Sequence, residues 1–235
     1  MKTRTAVIAA AAGLMGLSAS ADTVTMEYTG TGLGRTVRVS SPERSGTLFA
    51  GQLRHEVSSG TGIGASLAGQ SILTYCIDIA QGVATRPTVF DVSRVDSNAR
   101  SATEAALSRM VGHALDYAPN VRSNGEKRDF HAAVQLAVWE VIADFDATDG
   151  RGSLSIEQGR FEASQSNGRN IGGRLLDYVD DLFNAAMSGT GTGLAMTSSS
   201  RQDQIIPLTD PIIPAPTAAA MALVGVGGLA SRRRR

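Results

Sequence analysis

Residues 88–119, "TVFDVSRVDSNARSATEAALSRMVGHALDYAP", change period part-way along. Up to Asp96 apolar and polar residues alternate, the pattern of a strand with one face in a core. From Ser101 onward Ala105, Ala106, Leu107, Met110, Leu115 and Tyr117 recur at helical spacing. Ser101 has the short oxygen-bearing side chain of an N-cap, and Pro119 stands just past the expected end. The stretch is therefore a strand handing over to a helix.

Working outward, the chain is all strand-like on one side of this point. Residues 22–57 alternate in three runs, "DTVTMEYTG", "RTVRVSS" and "GTLFAGQLRHEV", and 58–70 read as a Gly/Ser loop before the strand "SILTYCIDIA". On the other side a helix is expected from about Glu126 to Phe145 and a third over about 171–187, with a short strand between turns separating them. "GLAMTSSS" and "DQIIPL" close with strands. Strands, then about three inserted helices, then strands describe an α+β domain and not alternating βαβ units.

The two ends carry separate signals. "MKTR", a 12-residue apolar run and small residues before a cut after Ala21 predict a secretory signal peptide, residues 1–21. The run is short for a membrane span. The domain is expected over 22–208, followed by a linker, 209–216, and an end segment, 217–235. Residues 217–230 are small and apolar and four arginines finish the chain. As a helix these 14 residues would reach ~21 Å against a ~30 Å hydrocarbon core, with the arginines on the cytoplasmic side. The formal charge of zero hides an uneven distribution. Lys2, Arg4 and Arg232 to Arg235 lie in the ends; the remainder holds 16 basic against 22 acidic residues, about −6. That sign argues against nucleic acid.

Cys76 is the sole cysteine of this apparently exported chain. On its strand Leu73, Tyr75, Ile77 and Ile79 make an apolar row, the expected core side, and Cys76 shares the other face with Asp78. In "FHAAVQLAVWEV", 130–141, Phe130, Val134, Ala137, Val138, Val141 and Phe145 form a helical stripe. Gln135 lies at its margin, with His131 one turn before and Trp139 one turn after. Two readings stay open. Gln135 is a boundary residue and Cys76 an inert packed thiol, or the Cys76 sulfur displaces ammonia from the Gln135 carboxamide to give an internal thioester. The second needs held attack geometry, an oxyanion donor and a proton for the departing nitrogen. Asp78 and His131 are candidates for the polar roles, and Trp139 for keeping water out.

Two resemblances bear on this. "YCID" and, 59 residues beyond its cysteine, "VQLAVW" resemble the paired motifs of the Cys–Gln thioester domains of bacterial surface adhesins. Cys76 and Asp78 match the first motif; Gln135, Ala137 and Trp139 match the second, while Val134 replaces its threonine. The likeness covers roughly 46–206 and implies an antiparallel β-sandwich or barrel with an inserted helical part. It also implies a Cys76–Gln135 thioester that captures an amine or hydroxyl on a surface ligand. Pro214, Ala215 and Pro216, the short apolar run and Arg232, Arg233, Arg234 and Arg235 resemble a PEP-CTERM sorting tail, with Ala215 where the commonest form has glutamate. That tail implies an exosortase-like partner and membrane attachment before processing; a plain C-terminal anchor is the alternative.

Other chemistry finds little support. Read as a calcium loop from Asp146, the sequence puts Arg151 where glycine is required. His55, His113 and His131 lack ligand spacing, so no metal is expected, and no cofactor. The expected function is therefore a single-use covalent reagent, not a turnover enzyme, at the cell surface or in the extracellular matrix. The alternative is a non-covalent matrix-associated protein with an inert buried cysteine.

Overall fold

A computed structural model of the chain describes residues 21–208. The leader up to residue 20, and the linker and tail with Pro214, Ala215, Pro216 and Arg232 to Arg235, lie outside the described residues. The chain runs β1 (Thr23–Ser40), β2 (Ser45–Thr61), β3 (Ser71–Cys76), β4 (Thr88–Asp96), α1 (Ala102–Tyr117), α2 (Asn124–Asp144), β5 (Glu162–Gln165), α3 (Arg174–Ser188), β6 (Thr192–Thr197) and β7 (Gln204–Pro207).

Every strand pairing is antiparallel. The sheet order β2-β3-β7-β6-β4-β1 is completed by the β1–β2 hairpin, so six strands close on themselves as a barrel. Closure removes the unpaired edges that an open sheet presents. β5 pairs only with the far half of β1, Val37 to Ser40, where the long hairpin has left the barrel. The fold is thus α+β, an antiparallel barrel with a helical insertion between β4 and β6.

The first two alternating runs of the sequence fuse into one 18-residue strand, β1, with register shifts near Gly30 and Gly34. The reason at Gly34 is steric: a β-carbon there would collide with the Ala50 carbonyl of β2. The expected loop at 58–70 is also shorter than read. β2 continues to Thr61 and a 3-10 helix, Gly62–Leu67, follows. Conversely, β3 stops at Cys76, earlier than its sequence suggested.

Two cores result. Val24, Met26, Val57, Ile72, Phe90, Val92, Leu194, Met196 and Ile206 fill the barrel. Val37, Ala50, Leu53, Met110, Val134, Val138, Phe161, Leu182 and Phe183 belong to a second core between hairpin and helices. α2 runs through that second core. It packs on β1, β2 and β3 and against α1 and α3, and every residue from Ala132 to Val141 is buried. Each fully buried large apolar side chain contributes roughly 1.5–3 kcal/mol, so packing and not propensity holds this helix. Its start is set by a capping box. Ser123 Oγ accepts from the Glu126 N–H, and the Glu126 carboxylate accepts from the Ser123 N–H. Ser101 caps α1 by accepting from the Glu104 N–H at 3.3 Å.

The expected core face of β3 is corrected. Leu73 is 42% exposed, whereas Ile72, Thr74 and Cys76 are buried. Ile72 and Thr74 belong to the barrel interior, beside His55 and Gln204 of the neighbouring strands. Tyr75 is buried on the opposite face, against the helices. A strand that closes a barrel and also carries a helix layer at one end is covered on both faces at that end, here Tyr75 and Cys76, so alternation of apolar residues could not say which face was inside.

Candidate functional site

β3 ends where the barrel meets α2, and the residue at that end is Cys76. The Gln135 side chain, 1% exposed, reaches from α2 to the same residue. Its Oε1 accepts the Cys76 backbone N–H at 2.9 Å, and its Nε2 donates to the Cys76 carbonyl at 2.8 Å. The carboxamide thus pairs with Cys76 as another strand would, continuing the ladder through a side chain. The two bonds also fix which end of the amide is oxygen, because the reverse orientation would oppose donor to donor and acceptor to acceptor.

The sulfur has two partners. The thiol donates to the Asp78 carbonyl at 3.1 Å. Trp139, one turn beyond Gln135 on α2, donates its indole N–H to the sulfur at 3.4 Å. Cys76 is 2% exposed and Trp139 5%. Burial pushes the thiol up to about 12; the Trp139 N–H and the Asp78 backbone pull against this, and the negative charges of Asp78 and Asp203 add to it. Asp203 had no signal in the sequence. Its carbonyl accepts the Ile77 N–H at 2.9 Å, which places it beside Asp78. Its own carboxyl is raised by burial and by the Asp78 charge, against the Ser198 N–H that it accepts.

A cavity of about 260 Å³ opens onto this group. Cys76, Gln135 and Trp139 form part of its wall; Leu48, Phe49 and Leu53 of β2, with Ile79 and Val83, make it largely apolar, and Arg44 and Gln202 supply polar groups. Gln202 ties the 80s segment in place, its amide donating to the Gln81 carbonyl and its backbone N–H to that of Gly82. Only composition pointed to these positions as strand or loop; nothing local marked them as walls of a cavity.

Of the residues expected at the site, the fold brings Cys76, Gln135, Trp139 and the Asp78 backbone together. The Asp78 carboxylate turns away to accept the Ala80 N–H at 2.8 Å. His131 is placed elsewhere. Its Nδ1 lies 2.7 Å from the Tyr75 hydroxyl, and it lines a separate groove with Tyr75, Leu73 and Ala114. The cause is the strand's alternation. His131 and Gln135 are neighbours on α2, but they meet successive residues of β3, whose side chains point opposite ways.

Residues 73–186 match the thioester domain family. The match starts within β3, three residues before Cys76, and ends within α3, so it contains Cys76, Asp78, Gln135 and Trp139. It is narrower than the 46–206 suggested by the motifs and leaves β1, β2, β6 and β7 outside. No curated protein and no solved structure matches the chain. The matched segment thus holds the end of β3 that carries Cys76 and most of the helical insertion.

Proposed function

We propose that this thioester-domain segment forms an internal thioester between the Cys76 sulfur and the Gln135 carboxamide, and that the bond is used once to attach the protein covalently to a surface partner. The observation that carries the reading is the double hydrogen bond between the Gln135 amide and the backbone of Cys76. It fastens the electrophile to the residue that bears the nucleophile, the condition for large effective molarity. It also supplies the oxyanion donor. As the sulfur adds to the amide carbon, negative charge develops on Oε1, which already accepts the Cys76 N–H. The thiol proton leaves with the nitrogen as ammonia, and the products are one thioester and one ammonia. Capture by an amine then gives an isopeptide-type amide at Gln135 and returns the proton to the sulfur.

Burial supports the stored state. A site that pushes a thiol up to about 12 disfavours the thiolate and favours uncharged sulfur. A thioester is uncharged, and the cavity's apolar wall keeps it from bulk water while leaving room for an aliphatic amine. The same burial supports the second reading, an inert packed cysteine in a non-covalent matrix protein. Methylamine separates the two. Incubation should add one methylamine to Gln135 and free one alkylatable thiol; a chain that takes up neither methylamine nor thiol reagent until unfolded supports the inert reading.

We further propose that the chain is exported through its leader, residues 1–21, and sorted by a PEP-CTERM-like tail handled by an exosortase-like enzyme. The support is the tripartite sequence at each end. The reagent then faces outward, where surface amines and hydroxyls are available. Being consumed by its single reaction, it is not a turnover enzyme.

A further inference from the structure

The reaction has a difficulty that the thioester motif does not address. Sulfur must carry negative charge twice, when it attacks the carboxamide and when an incoming amine expels it. Its surroundings oppose that charge. Cys76 is 2% exposed, and two carboxyl-bearing residues, Asp78 and Asp203, stand nearby with a destabilising influence on a thiolate. The described histidines offer no relief. His131 is engaged by Tyr75, His55 lies inside the barrel within bonding distance of Thr74, and His113 lies beside Tyr117 on α1.

Of the two groups hydrogen-bonded to the sulfur, one is placed to offset this. The Trp139 indole N–H points at the sulfur at 3.4 Å. Indole nitrogen donates and cannot accept, so this contact is a hydrogen bond to sulfur whichever form the sulfur takes. Its strength rises with charge on the acceptor, because charge-assisted hydrogen bonds are roughly twice as strong as neutral ones. The donor is also fixed. Trp139 is 5% exposed, sits on the continuously buried stretch of α2, and its ring lies 5.9 Å from that of Phe161. Phe161 is held in turn through its N–H by the Asp144 carboxylate at 2.8 Å.

We infer that Trp139 is a catalytic residue of the thioester chemistry, its indole N–H stabilising the Cys76 sulfur as it acquires charge in both the bond-forming and the bond-opening step. The inference rests on the thioester reading and adds a role distinct from shielding. A water shield needs only the ring; this role needs the N–H. In formation, the Sγ–H bond and the carboxamide C–N bond break, the C–S bond forms, and the proton leaves on ammonia. In opening, an amine R–NH₂ adds to the carbonyl carbon, the C–S bond breaks onto sulfur, and the amine's proton passes to it. The indole keeps its own proton throughout and changes only the cost of charge on sulfur.

The experiment removes the N–H and keeps an aromatic group in its place. Trp139→Phe, and the isosteric replacement of Trp139 by benzothienylalanine, whose ring sulfur stands where the N–H was, are compared with the native exported chain. Opening by methylamine, followed by mass, should slow about ten-fold in both variants, the size expected for one hydrogen bond to a charged atom. A second measurement works without any thioester. In a Gln135→Ala background, the alkylation rate of Cys76 against pH reports thiolate formation alone. Loss of the N–H should lower that rate about ten-fold at each pH below the thiol's titration, with the thermal midpoint of the benzothienylalanine protein unchanged. If both variants open and alkylate at native rates, the N–H has no role and Trp139 only packs. If native protein never loses ammonia yet the alkylation effect is present, the thioester reading fails while the donor role toward sulfur stands.

Discussion

Glu140 follows Trp139 on α2 and is a buried carboxyl with one oxygen satisfied. Its Oε1 accepts the Ser155 N–H at 2.7 Å, while Oε2 has no partner. Burial pushes it up to about 8, the Ser155 N–H works against this, and the Asp144 charge adds to it. His55 and His131 move the other way; burial lowers each to about 4. The signs then define a pH profile. Unfolded histidines take up protons below about 6.5 while the folded ones resist to about 4, so stability falls on acidification through that window. Unfolded Glu140 loses its proton near 4.5 while the folded group keeps it to about 8, so its part of the stability falls as pH rises between these values. Of these three groups, the two histidines outweigh the carboxyl below 6.5 and the carboxyl dominates from there to about 8, which places the maximum near pH 6.5. Glu140→Gln should remove the decline on the alkaline side and raise stability at pH 8.5 by roughly 1–3 kcal/mol. Thermal or urea unfolding across pH 4–9 checks both statements, and an unchanged alkaline limb in the variant contradicts the assignment.

At the scale of elements, the segment after α2 returns to cover the helix that carries the site. Asp144, its last residue, accepts from the Arg160 and Phe161 N–H groups at 3.0 and 2.8 Å. Asp144→Ala should cost roughly 1–3 kcal/mol, since two charge-assisted bonds are lost at the edge of the core. Because Trp139 is the protein's single tryptophan, its fluorescence reports the consequence. A red shift in the folded variant means that Phe161 has withdrawn; native emission with a lowered midpoint means that the loop is held by its other contacts. Elements of this kind were legible where local chemistry is complete. α1 with its Ser101 cap, the span of α2 and β4 over Thr88–Asp96 follow from period and local chemistry, whereas the Ser123–Glu126 capping box that starts α2 two residues earlier was not read. The face of β3 was not legible, because both of its faces are covered at the Tyr75 and Cys76 end. The site was half legible. A cysteine and a glutamine in paired motifs named themselves, and Trp139 with them. His131, a candidate for a polar role there, faces Tyr75 instead, one strand position from Cys76, and the cavity walls from β2 are long-range neighbours that no local pattern announces.

For the whole molecule, the family match and the folding unit do not coincide. Residues 73–186 include β3 and β4 but none of the strands that flank β3 in the barrel, β2 and β7. Both edges of what remains of β3 would be unpaired, and Phe90 and Val92 would lose the rest of the barrel core. Expressed alone, 73–186 should show no cooperative unfolding transition, whereas 21–208 should unfold in one; calorimetry of both decides. The division also explains the site. The barrel presents Cys76 at the end of a strand, the helical insertion presents Gln135 and Trp139, and only the closed fold makes them neighbours. The most direct test of that junction is the intact mass of the unmodified protein, measured beside Cys76→Ala. A native chain one ammonia lighter than its sequence, with the ammonia restored in the variant, is the predicted result; a full-mass native chain with a thiol that alkylates once unfolded would contradict it.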